Sequence, residues 1–413
     1  NPYLDAKFRQ QYGDVGYYDQ KAAIMDQIEG IISDPEVEGT GIKAALTTLS
    51  QALADFSQSP YQETNANIVM NAFKGVTQVL NEYDANLKTL MEQTKNDLSV
   101  AVEDINTKLD QLSELNSSIA HEIFSNNDYD GVNYGPNDLL DQRNVILDDL
   151  SRYGDVQVTD LEDGKIQVKI NGKVVVDASG ASYTNDKLNI GSDGVTLTWN
   201  SNNQNANLGA GAIRGFTDML TGADPINAGI PYYQNKMDNF AQTLADVFNN
   251  KIHADDPDFP DKYKFLLQGG VDGKVTAGNI SISDQWADDV SYIIRKQNPD
   301  GELDNQDILD MKAAFEQDFN FGGEYTGTFS EFITSVTNTL GSGIKTNSAR
   351  MSASLAIAES ADSERMGVSG VSLNEEGISM MTYNKAYQAL GRLMTTMDEQ
   401  LDMIINKMGI VGR

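Results

Sequence analysis

The chain of 413 residues is long enough for roughly two to four domains and more than one buried core. Its 30 Lys and Arg against 61 Asp and Glu leave a net charge of -31, which excludes nucleic acid and anionic membrane as partners, since phosphates are neutralised by clustered cations. Cysteine is absent, which excludes disulfides, thiol catalysis and thiolate metal sites together.

Charge of this size also holds monomers apart, so any assembly has to rest on specific contacts. No apolar stretch approaches the roughly 18 residues of a membrane span, and there is no signal peptide pattern. The chain opens Asn1-Pro2 without a methionine and reads as a piece of a longer protein, with sequence missing upstream.

From Asn1 to about Ser151 the apolar periodicity is helical. The first clear run is Tyr17 to Ile32, with Ala22, Met25, Ile28, Ile31 and Ile32 on one face and Asp34-Pro35 as its stop. A second helix is expected from about Ile42 to Phe56, ended by Ser59-Pro60. A long one follows, from about Tyr61 to Phe124, with room for one interruption. Within it Leu98, Val102, Ile105, Leu109, Leu112, Ile119 and Ile123 keep a heptad, and Asn116 occupies one seam position. A buried asparagine there would fix helix register at some expense in stability; a polar residue at a helix edge is the alternative. Asn126 to Pro136 is a loop, and Asp138 to Leu150 a short amphipathic helix.

At Gly154 the period changes to two. Val156 and Val158, then Ile166, Val168 and Ile170, alternate with polar residues around Glu162-Asp163-Gly164 and read as a hairpin. Val174 to Asp177, Leu188 to Ile190 and Val195 to Trp199 continue as strands between Gly, Asn and Asp turns. Helix returns at Ile213 to Leu220 and at Tyr232 to Ile252, where Met237, Phe240, Leu244, Val247 and Phe248 share a face. Val275 to Ile282 reads as one further strand, and Ile308 to Phe319, Thr328 to Leu340 and Ile344 to about Met366 as helices. The expected fold is α+β and multidomain: a long helical, coiled-coil domain built from both chain ends, with β-rich structure inserted in the middle and projecting outwards. The boundaries are 1–153 and 307–370 for the two parts of the helical core, 154–212 for the β-rich insertion, 213–306 for a mixed helix and strand segment, and 371–413 for a terminal assembly helix.

That terminal helix carries the clearest signal. Ser372-Leu373-Asn374-Glu375 is a capping box, in which Ser372 and Glu375 satisfy free backbone donors. Met380, Tyr383, Tyr387, Leu390, Met394, Met397, Leu401, Ile404 and Met408 then follow at alternating three and four residue spacing, and Gly409 stands at the expected C′ position. Two tyrosines and four methionines make this an adaptable packing surface rather than a leucine zipper.

No catalytic constellation is apparent, and the chain reads as no enzyme with no cofactor. Its only histidines, His121 and His253, lie far apart, so a zinc site or a histidine triad is poorly supplied. Asn126, Asn127, Asp128, Tyr129, Asp130 and Gly131 partly imitate a calcium loop, but Asn137 stands where the bidentate glutamate belongs, and a solvated turn is expected. The acidic group Asp255, Asp256, Asp258 and Asp261 reads likewise as solvated.

Three stretches stand out. Two are Asn1-Pro2-Tyr3-Leu4-Asp5 with Phe8-Arg9, and Asn137-Asp138-Leu139-Leu140-Asp141-Gln142-Arg143 with Leu147, Leu150 and Ser151. The third is Gly370-Val371-Ser372-Leu373-Asn374-Glu375-Glu376 with Tyr383, Ala386, Tyr387, Ala389, Met397-Asp398 and Leu401. In that order, around a β insertion, they span nearly the whole chain and resemble the flagellar hook-associated protein 1 family, the FlgK-type proteins that join hook to filament. Asn144 and Asn374 replace the family's aspartates and Asn384 a glutamine. Gly377 replaces an apolar residue and weakens the first turn by roughly 1 kcal/mol relative to alanine.

The resemblance implies a structural protein of the bacterial flagellum that forms a ring between hook and filament through its terminal helices. It implies neighbouring copies, hook protein and the second junction protein as partners, and an export chaperone on the C-terminal helix. It also implies an extracellular location reached by type III export without a cleaved signal. Family members carry an N-terminal helix that pairs with the terminal one; without it here, the seam from Met380 to Met408 is expected to be exposed, frayed or borrowed by a neighbour. The alternatives are another axial protein, such as the second junction protein or a hook or rod subunit, and a surface adhesin or calcium-binding module.

Overall fold

The computed structural model describes residues 2–32, 40–126, 136–178, 184–206, 208–252, 265–270, 273–294, 305–370 and 372–407. Contacts divide it into two compact units, residues 6–358 and residues 1–5 with 359–413.

Helix α1 runs from Pro2 to Ile32, fifteen residues earlier than its apolar face announces. Gly13 and Gly16, which weaken the helical signal, serve a close approach: a Cβ on Gly16 would lie 2.1 Å from the carbonyl oxygen of Arg152. Helix α2 (Gly41–Gln58) buries Ile42, Leu46, Leu49, Leu53 and Phe56 against α3 (Glu63–Asn126), to which the turn at 59–62 joins it. At 64 residues α3 is unbroken and about 96 Å long at 1.5 Å per residue. Helix α4 (Asn137–Ser151) packs beside it through Leu147 and Leu150.

A four-stranded antiparallel sheet follows, β1 (Val156–Asp160), β2 (Ile166–Ile170), β3 (Lys173–Asp177) and β4 (Thr184–Asn185), paired in chain order. Val156 lies opposite Ile170 and Val158 opposite Val168. Asn171 (φ 49°) and Gly172 (φ 81°) make the tight link from β2 to β3, a backbone conformation that asparagine and glycine tolerate best. A register shift at Val168–Lys169 leaves Val175 as an extra residue, so both Val175 and Val176 are buried. Strands β5 (Leu188–Ile190) and β6 (Leu197–Trp199) form a second hairpin.

Helices α5 (Gly211–Thr221) and α6 (Ile230–Asn249) return to α3. The single strand expected over Val275 to Ile282 is instead a turn and half of a hairpin, β7 (Leu267–Gln268) pairing with β8 (Ser281–Ile282). Then come α7 (Asp284–Asp288), α8 (Gln306–Ala313) and the pair β9 (Phe319–Phe321) and β10 (Tyr325–Gly327). The helix expected to reach Phe319 therefore stops at Ala313, because Phe319 and Phe321 enter an aromatic cluster as strand residues. There Phe321 stacks on Phe332 with ring centroids 4.3 Å apart, and Phe240 and Phe329 complete the group. Two helices expected beyond it are one, α9 (Phe329–Ser369), which runs through Gly341 and Gly343 without a break. The last helix is α10 (Leu373–Asp402), ending in a π-turn over Met403–Lys407.

The strands do not project from the helices. Val168, Ile170, Leu188 and Leu197 share one core with Leu98, Val102, Ile105, Leu109 and Leu112 of α3. Asparagine side chains make the join. Asn116, fully buried, donates from Nδ2 to Ile166 O (2.9 Å) and accepts at Oδ1 from Ile166 N (3.2 Å). Asn106 does the same for Leu188, with both bonds 2.9 Å, and Asn81 donates to Ala277 O and Ile280 O. A residue of an antiparallel strand presents its N–H and C=O on one edge, and a single carboxamide answers both. Asn116 thus sets the register of a strand on α3, not of one helix on another.

The end of α4 is tied to α3 by a hydrogen bond from Tyr153 Oη to Asp104 Oδ2 (2.7 Å), with Lys108 Nζ 2.7 Å from the other oxygen. Burial, then Asp104 itself, pushes the Tyr153 hydroxyl up to about 12. Burial would raise the Asp104 carboxyl, but the bonds from Lys108 and Tyr153 outweigh it and hold it below the usual value.

Two outcomes follow from these contacts. Asn116→Ala leaves both backbone groups of Ile166 unanswered in the core and should lower the unfolding free energy by about 2–4 kcal/mol in urea titration. The depressed Asp104 contributes stability above the ordinary carboxylate pKa of about 4, and that stability is lost as pH falls through its lower folded value. Wild type should therefore exceed Asp104→Asn in stability at neutral pH, and the gap should close in acid unfolding curves below about pH 4.

Candidate assembly helix

The unit made of residues 1–5 and 359–413 has a small interior. Leu4 and Ala361 are buried, and Arg365 bridges Asp5 (3.6 Å) and Asp362 (2.8 Å). In this unit Gly370 N donates to Met366 O (2.7 Å), ending α9. Ser372 then takes the N-cap position in extended geometry, and its hydroxyl accepts from Glu375 N at 3.4 Å. Glu375 and Glu376 stand in the first turn, where the helix dipole favours negative charge.

No residue of α10 is buried. Met380, Tyr383, Tyr387, Leu390, Met394, Met397, Leu401 and Ile404 are all exposed, from 51% at Leu401 to 77% at Tyr387. Met408 lies outside the described residues. Among the described residues, the coiled coil expected of this seam is therefore not formed. Leu393 and Ile405 are exposed as well and widen the apolar surface beyond the strict heptad; their hydrophobicity was visible in the sequence, but the three and four spacing passed over them. Burying each large side chain stabilises by about 1.5–3 kcal/mol, so a partner covering the seam has on the order of 10 kcal/mol of gross burial available.

The other resemblance blocks serve the fold. In the 6–358 unit Arg9 pairs with Asp148 at 2.8 Å, joining α1 to α4 across the first two blocks, and Arg143 donates to Gly164 O (2.6 Å) at the β1–β2 turn. His121 is exposed on α3. Among the described residues no cluster of His, Asp and Glu could hold a metal ion. His253, the Asn127 to Gly131 stretch and the acidic group Asp255, Asp256, Asp258 and Asp261 lie outside the described residues.

The chain matches the family model of the flagellar hook-associated protein FlgK helical domain over residues 25–261, more than half its length. It matches that of the flagellar basal body rod FlgEFG protein C-terminal region over residues 363–407, which hold the whole of α10. Flagellar hook-associated protein 1 of Bacillus subtilis (strain 168) is 26% identical over 447 residues, covering 100% of this chain and 84% of that protein. The structure of the flagellar hook junction protein FlgK from Burkholderia pseudomallei is 19% identical, with a TM-score of 0.48 over 60% of this chain and 43% of that one.

Because the seam touches no core, replacing Leu390, Met397 and Leu401 with glutamine should shift the unfolding free energy of dilute monomer by under about 0.5 kcal/mol in urea titration. A loss above about 2 kcal/mol would show the seam packed within the monomer.

Proposed function

The chain belongs to the flagellar hook-associated protein FlgK family, and we propose that it is a structural junction protein between hook and filament, assembling with copies of itself through its terminal helix. The observation that carries this reading is the apolar seam of α10, whose described residues are all exposed. Eight exposed apolar side chains on one helix face are an interaction surface, and heptad spacing fits another helix. The expected coiled coil then forms between subunits or with a helical partner, and Met394 and Met397 let the surface adapt to more than one.

The remaining properties fit export and assembly. A chain without cysteine cannot be trapped by a disulfide, and no described helix is long and apolar enough to cross a membrane. Net charge of -31 keeps monomers apart until a helix partner overcomes the repulsion. An export chaperone would cover the same seam before assembly, since a bare apolar stripe of this length invites aggregation. Hook protein and the second junction protein are the neighbours this role requires. The match of residues 363–407 to a rod-protein family supports a second reading, another axial subunit of hook or rod type.

Electron microscopy of cells lacking the gene, with assay of the medium for flagellin, separates these. The junction role predicts bare hooks and monomeric flagellin outside the cell. Normal filaments would contradict it, and absence of hooks would select the rod or hook reading.

A further inference from the structure

Within the 6–358 unit, α1, the turn at 225–228, Tyr233, Tyr325 and one face of α9 enclose a groove of about 870 Å³. Along α9 its lining recurs at helical spacing, as in Thr334, Asn338, Ser342 and Thr346, and includes no apolar side chain. Such a wall does not suit the seam of α10, whose side chains are apolar, so the groove and the seam have different occupants. Beneath it Tyr233 is fully buried, and its hydroxyl has no hydrogen-bond partner.

Charge sets the groove apart from the rest of the molecule. Lys21 and Arg350 line it, and neither forms an ion pair among the described residues; Lys21 lies over the Tyr17 ring at 5.7 Å. The one carboxylate in the lining, Glu331, is engaged at the start of α9, accepting from Thr328 N (3.0 Å) and Thr328 Oγ1 (3.2 Å). Burial lowers the Lys21 pKa, Asp218 opposes this, and Arg214 and Arg350 lower it further. Cations thus converge here in a chain whose acids outnumber its bases by 61 to 30.

We propose that this groove receives a carboxylate-bearing face of a second copy of the chain. Charge complementarity selects that occupant. Two molecules of charge -31 repel over most of their surfaces, and a polar groove holding unpaired cations is a place where an acidic face of one is attracted to the other. Asn338, Ser342 and Thr346 of α9 then supply donors to the docked carboxylates. This deepens the self-assembly reading above and rests on it, adding a polar, salt-sensitive interface to the apolar one.

The test is sedimentation of the full chain over a concentration series at low and high salt, for wild type, Lys21→Glu with Arg350→Glu, Arg350→Glu alone, and the Leu390→Gln, Met397→Gln, Leu401→Gln variant. Arg350 is exposed, so its single substitution leaves the fold intact, and circular dichroism checks this. The proposal expects groove variants to associate about tenfold more weakly than wild type at low salt and to lose most of the salt dependence. Unchanged association in the groove variants alongside loss in the seam variant overturns the groove interface and leaves the assembly reading standing. A wild type that is monomeric throughout overturns both. Oligogalacturonate, titrated as a free acidic probe, tests a carbohydrate occupant. Its binding through Lys21 and Arg350, with self-association unaffected by their substitution, also overturns the proposal.

Discussion

The structure depends on covering α3. A helix of 64 residues carries an apolar stripe about 96 Å long, and no neighbour of ordinary length can bury it. The 6–358 unit answers with many short pieces laid along it: α2, α4, two hairpins, α5, α6 and β8. Strands of two to five residues do not stand alone, because their edges carry unpaired backbone groups and their faces are too small. The carboxamides of Asn106 and Asn116 take the place of a neighbouring strand, and Asn81 holds the turn before β8, so the hairpins are held by hydrogen bonds as well as by the valines and isoleucines beneath them. A polar side chain in an apolar stripe is tolerable when both its ends are answered, as those of Asn106 and Asn116 are.

Helix α10 obeys the same rule with the opposite result. Its seam has the spacing of the α3 stripe, but no described residue of it is buried. An apolar surface of that length is unfavourable in water and favourable against another helix, which makes the helix a store of association energy that the folded unit has not used. The capping serine and the acidic first turn favour helix ahead of any partner, lowering the ordering entropy that binding would otherwise oppose. On the proposed reading, assembly is carried by α10 and monomer stability by the α3 core.

Much of this was legible in the residues. The heptad of α3, the change of period at Gly154, the turn at Glu162-Asp163-Gly164 and the apolar face of α10 follow from spacing alone, because each periodicity reflects the face an element presents. What escaped depends on distant partners. The first half of α1 has little amphipathic pattern and two glycines, whose purpose appears only where Arg152 approaches. Phe319 scans as the end of a helix until the aromatic cluster takes it, with Phe321, as a strand. Asn116 stands out in its seam, but what it pairs with lies 50 residues away. The polar groove was invisible, since its cations come from α1 and α9, more than 300 residues apart in the chain.

The central claim is that the seam of α10 finds its cover only in assembly. Hydrogen exchange measured on the same protein, as dilute monomer and as assembled junction, tests it most directly. The account predicts fast exchange from Met380 to Ile404 in the monomer and strong protection of that stretch in the assembly, with α3 protected in both. Equal protection of α10 in the two states would contradict it.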